Sequence, residues 1–141
     1  GRGGAAAAVY AAAHDRRVAR VVLCACPAEF SRIVAEKRAD LSIERFRRIG
    51  LIRDRDFPPS VDRWQAGFGE ITPLRWIDRI APRPLLLVQG REDDLVDEEQ
   101  AWRLYEKAGE PREIAVVAGA GHRLRLSGEA MDTVLAWLRR P

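Results

Sequence analysis

Two side chains in this sequence have the types and the spacing for acid–base chemistry. Asp93 stands in Gly90-Arg91-Glu92-Asp93-Asp94-Leu95-Val96-Asp97, and His122 closes Ala118-Gly119-Ala120-Gly121-His122. A carboxylate that accepts the Nδ1–H of a histidine fixes the ring's tautomer. It also stabilises the imidazolium formed when the other ring nitrogen takes a proton. Singly, Asp93 reads as a solvated loop carboxylate between Glu92 and Asp94, and His122 as a turn residue. At matched positions in consecutive strand–loop–helix units, they read as a pair. What the pair lacks, within this chain, is a nucleophile to activate.

Local pattern supplies the scaffold of the pair. Pro84-Leu85-Leu86-Leu87-Val88 closed by Gly90 reads as a strand buried on both faces, with an acidic loop at its carboxyl end. In open α/β sheets this is where ligand and catalytic groups gather. Asp97 reads as the N-cap of the next helix, with Gln100 at the capping-box position and Glu98 and Glu99 suited to the positive helix end. Ala101, Leu104, Tyr105 and Ala108 form that helix's buried stripe, and Gly109 is its stop. Glu113–Val117 is a further strand. Ser127 caps a last helix whose Met131, Val134, Leu135 and Leu138 should face inward.

The front of the chain adds a helix and a strand. Gly1-Arg2-Gly3-Gly4 runs into an alanine helix, apolar all round and therefore expected to be buried. Val18–Ala25 is rich in β-branched residues and reads as a strand closed by Pro27. Residues 27–72 differ in character. Ser31–Asp40 and Leu41–Arg48 have helical spacing with heavy charge, and a turn-rich stretch comes next, so this region reads as a cap laid over the core. Pro73–Ile80 is a short helix. The order predicts an α/β domain over residues 1–141: a three-layer arrangement with a parallel sheet of about three strands, helices on both faces and a short helical cap.

Composition narrows the partners. The chain has 141 residues, 47% of them hydrophobic, which fits a soluble globular domain. Arginine supplies 22 of the 24 basic residues, but they are scattered among 21 acidic ones and never exceed two in a row. No nucleic-acid stripe is therefore expected. Cys24 and Cys26 are too close for a disulfide and read as free, buried thiols of a reducing cytosol. Neither they nor the cluster Glu92, Asp93, Asp94 and Asp97 forms a metal pattern, so no metal or cofactor is expected. His14, at the end of the alanine helix, is explained by the helix dipole. No apolar run approaches the roughly 18 residues needed to span a bilayer, and no signal peptide is read at the N-terminus. The expected location is cytoplasmic, with no membrane partner.

Gly90-Arg91-Glu92-Asp93 with Val96, then Gly119-Ala120-Gly121-His122, resembles the acid and histidine motifs of the α/β-hydrolase superfamily. Ile80-Ala81-Pro82-Arg83-Pro84-Leu85-Leu86-Leu87-Val88 is similar to the run leading into the acid there. Arg2-Gly3-Gly4 before the alanine helix resembles the residues immediately after the nucleophilic serine. The resemblance covers the whole chain but only the C-terminal half of that fold, from the nucleophile elbow onward.

The resemblance implies a hydrolase of small-molecule ester, amide or peptide substrates, in which Asp93 orients His122 as general base and then general acid. Arg2 would give one backbone N–H of the oxyanion hole, and Gly1 stands at the serine's position. Residues 27–72 would roof the site, with Phe57, Trp64 and Phe68 as apolar lining. Without the serine the chain itself is expected to be inactive. The alternative is a non-catalytic member of the fold that binds a ligand or partner. The missing neighbour of the Val18–Ala25 strand would leave an open edge prone to self-association.

Overall fold

The computed structural model describes residues 2–30 and 39–141. Two compact units emerge, Gly1–Glu29 with Thr72–Pro141, and Phe30–Ile71. The first unit contains α1 (Arg2–His14) and β1 (Val21–Cys24). The second contributes α2 (Ala39–Arg48) and α3 (Val61–Glu70). The chain then returns to the first with α4 (Pro73–Trp76), a 3-10 turn over Ile77–Arg79, β2 (Leu85–Gly90), α5 (Glu98–Lys107), β3 (Arg112–Val117), a 3-10 turn over Leu124–Leu126 and α6 (Gly128–Leu138).

The three strands form one parallel sheet in the order β1-β2-β3, with Val21 opposite Leu85 and Leu85 opposite Arg112. All six residues of β2 are buried. Successive side chains of a strand point to opposite faces. Leu85 and Leu87 accordingly join Val9, Ala12, Leu23, Ile77, Ile80 and Leu104 in one core. Leu86 and Val88 join Val117, Leu124, Ala130 and Trp137 in the other. Helices α1, α4 and α5 therefore cover one face and α6 the other, which makes three layers. The fold class is α/β.

Several local expectations are corrected by the packing. Strand β1 starts at Val21 rather than Val18, because its partner supplies only the Pro84 carbonyl at that end, accepting from Val21 N at 3.0 Å. Val18 N instead donates to Asp15 O in a turn. Strand β3 begins one residue earlier than expected, at Arg112. Helix α1 is not buried all round: Ala6, Val9 and Ala12 are covered, whereas Gly3, Gly4, Ala7, Tyr10 and Ala11 are exposed. A helix lying on one face of a sheet buries only the stripe that meets it.

Both expected caps form, but the reciprocal half of the first capping box does not. Asp97 Oδ1 accepts from Gln100 N at 3.3 Å, and Ser127 Oγ accepts from Ala130 N at 3.2 Å. Gln100 does not turn back on Asp97; its Oε1 accepts Ala28 N at 3.0 Å. In α6 the inward stripe is Ala130, Met131, Val134 and Trp137, so the expected Met131 and Val134 do pack on the core, while Leu135 and Leu138 are 48% and 44% exposed. Trp137 takes the inward position because its Nε1 donates to Glu113 at 2.6 Å. Glu113, also bonded by Arg140, has its carboxyl held below the usual range, chiefly by the Arg140 hydrogen bond and then by Trp137.

The second unit has its own apolar contacts. Ala39 and Ile43 are buried on α2, and Ser60 caps α3 by accepting from Arg63 N. Phe30, Phe68, Trp64 and Phe46 form a chain of edge-on rings with centroids 5.4, 4.9 and 6.0 Å apart. Trp64 and Phe68 thus pack on each other, and Phe57 is 40% exposed. Most of the helical segment expected from Ser31 lies outside the described residues.

Candidate active site

The acid and histidine loops leave the carboxyl ends of β2 and β3, which are neighbours in the sheet. Two hydrogen bonds tie the loops together: Arg91 N donates to Val117 O at 3.0 Å, and Glu92 N to Ala120 O at 3.1 Å. Close approach is permitted by Gly90. A Cβ built there would lie 2.3 Å from Ala120 O and 2.7 Å from Gly121 O. Gly119 supplies the turn into the histidine loop with φ +76°, where L side chains are disfavoured.

His122 Nδ1 lies 2.9 Å from Asp93 Oδ2. Of the three adjacent acids, only Asp93 is buried, whereas Glu92 and Asp94 are exposed. Its other oxygen, Oδ1, accepts Leu95 N and Val96 N, each at 2.9 Å. The carboxylate is thereby clamped by its own loop before it meets the histidine. The Asp93 side chain is fully covered and that of His122 is 16% exposed. With Nδ1 engaged, Nε2 is the ring nitrogen left for a reacting group. His122, Arg123, Gly121, Asp94, Leu95 and Leu126 line a cleft of about 540 Å³.

Gln89, whose place in an apolar run gives no local hint of a role, also belongs to the site. It is 1% exposed, and its Nε2 lies 2.7 Å from Val96 O, 3.1 Å from Gly90 O and 3.5 Å from Asp93 Oδ2. All three neighbours are acceptors, so the amide nitrogen must face them. Its Oε1 makes no hydrogen bond among the described residues. The one signal in the sequence is an amide next to last in a strand otherwise made of leucine, valine and a closing glycine.

Arg2 is the first residue of α1, and Gly1 lies outside the described residues. Neither thiol offers an activated nucleophile. Burial pushes Cys26 up to about 12 and raises Cys24 as well, so both stay protonated at neutral pH. His14 belongs elsewhere: its Nδ1 lies 2.7 Å from Tyr10 O, and its ring stacks on Tyr10. Among the described residues no group of three or more His, Cys, Asp or Glu could hold a metal ion. No helix among them is long and apolar enough to cross a membrane.

No family model matches the sequence, and no curated protein matches it. Solved structures do. An alpha/beta hydrolase from Penicillium sp. sh18 aligns with 95% of this chain at a TM-score of 0.63 and 16% identity. The fold is that of the α/β hydrolases. The esterase domain of a Rhodothermus marinus protein covers 97% of the chain, at a TM-score of 0.67 and 20% identity. A puromycin-hydrolyzing peptidase of Mycobacterium tuberculosis covers 98%, at a TM-score of 0.65 and 22% identity. The chain spans 58%, 57% and 20% of these three proteins, respectively. It therefore has part of the α/β-hydrolase fold, with Asp93 and His122 after its second and third strands.

Proposed function

We propose that this chain carries the acid and the general base of a serine hydrolase acting on ester, amide or peptide bonds. The observation that carries the reading is the 2.9 Å contact between a fully covered Asp93 carboxylate and His122 Nδ1 at the ends of neighbouring parallel strands. In this reading Asp93 holds the Nδ1–H tautomer. His122 Nε2 takes the proton of the attacking hydroxyl and returns it to the leaving group. The backbone N–H of Arg2, among those a helix leaves unpaired at its start, is one oxyanion donor. By the sequence resemblance, Gly1 stands where that family has its nucleophilic serine. The neighbouring folds include esterases and peptidases, which supports the bond classes.

As it stands the chain is expected to hydrolyse p-nitrophenyl acetate no faster than free imidazole and to take no fluorophosphonate label. In the complete protein, Gly1→Ser should bring both labelling and turnover, and His122→Ala should then reduce turnover by about a thousandfold or more. A complete Gly1→Ser protein that stays unlabelled and inactive would sink the hydrolase reading.

A further inference from the structure

We propose that Gln89 is a positioning residue for the acid–histidine pair, its side-chain amide tying the Asp93 loop to the strand that carries it. The inference rests on the pair's proposed role. Asp93 reaches His122 from a loop, and a loop carboxylate is only as well placed as the backbone beneath it. Its Oδ1 contacts, to Leu95 N and Val96 N, are internal to that loop and fix its shape without anchoring it. Gln89 supplies an anchor. From β2 its Nε2 donates to Val96 O, the residue whose N–H holds Asp93 Oδ1, and reaches Asp93 Oδ2, the oxygen facing His122.

One strand side chain thus contacts the loop at both ends of the carboxylate's grip. The central strand is the most enclosed element of the sheet, so the anchor sits on rigid backbone. A buried Oε1 without a partner makes Gln89 a poor choice for stability alone. The donors are what distinguish it from the leucines and valine before it.

The test uses the 141-residue chain and nitrogen NMR, so it needs no catalytic turnover. In the wild type, His122 should show the Nδ1–H tautomer, and the Gln89 side-chain amide protons should exchange slowly. Gln89→Met keeps the length and removes the donors. It should lower protection of the Leu95 and Val96 amides by about tenfold, as loss of a hydrogen bond to a charged network does. It should also shift His122 toward a mixture of tautomers. Leu87→Ala, which loosens the same strand, should leave the tautomer unchanged.

If the wild type has Nδ1–H and Gln89→Met retains it, Gln89 has no positioning role and the hydrolase reading stands. If wild-type His122 is the Nε2–H tautomer, both fall. Should Gln89→Met fail to fold, fast exchange of the wild-type Gln89 amide protons would by itself overturn the proposal.

Discussion

At the level of single residues, the site depends on one atom that is missing. Gly90 ends the central strand where the histidine loop crosses it, and a methyl group there would sit 2.3 Å from a backbone oxygen. That oxygen belongs to Ala120, whose carbonyl also accepts Glu92 N, so it cannot retreat without parting the two loops. Gly90→Ala should destabilise the chain by about 2 kcal/mol, within the range for overpacking a tight contact. It should also lengthen the Asp93–His122 distance. Urea unfolding measures the first effect and the His122 ring resonances the second. Gly128→Ala, at a position with open space around it, is the control and should change stability little. Equal effects of the two substitutions would refute the steric account.

Among the secondary-structure elements, helix ends account for part of the arginine bias. Arg83 donates five hydrogen bonds to backbone carbonyls. Its Nε reaches Ile80 O, Nη1 reaches Asp15 O and Val18 O, and Nη2 reaches Ala12 O and Arg79 O, at 2.7–3.1 Å. It closes the last turn of α1 and the 3-10 turn together. Arg112 does the same for α5, donating to the carbonyls of Tyr105, Glu106 and Ala108 with its guanidinium over the Tyr105 ring. Arg20 reaches Leu138 O at the end of α6 and Arg140 O beyond it. The last carbonyls of a helix have no partner inside it, and a planar fork of donors can serve several at once. Arg83→Met should cost about 3 kcal/mol, since several part-buried carbonyls lose a charged donor together. Arg83→Lys should recover less than half, because an ammonium cannot span the same oxygens. Chemical denaturation of the two variants checks this, and full recovery by lysine would contradict the fork geometry.

At the scale of the whole molecule, β1 is paired on one side only among the described residues. Val21 N donates to Pro84 O and Ala25 N to Val88 O, so the alternating N–H of Val22 points the other way, toward an unpaired edge. Such an edge accepts a further strand. The chain spans little more than half of the Penicillium and Rhodothermus proteins. We expect the isolated chain to self-associate reversibly despite its net charge of +3. Val22→Pro, which removes an outward N–H and spares the β2 ladder, should shift it toward monomer. Sedimentation velocity decides: a wild-type chain that remains monomeric at every concentration would rule out the edge as a contact.

Whatever needs only a few residues of reach is legible in the sequence alone. The three apolar runs, the caps at Asp97 and Ser127, and the carboxylate and histidine at matched strand ends are written in local spacing. A cap spans three residues, and a strand's pattern repeats every two. Tertiary packing governs what depends on segments far apart in the chain. It turned Trp137 inward in place of Leu135 and Leu138, because Glu113 offered its indole a partner from the neighbouring strand. It drew Gln100 away from its own helix end to Ala28. It bared one side of α1, since the sheet meets that helix along a single stripe. It made Gly90 indispensable and Gln89 part of the site through backbone that other loops bring against them. Local spacing sets which groups are available. Which of them touch is settled by packing, because burial and hydrogen-bond partners arrive from residues that no short window contains.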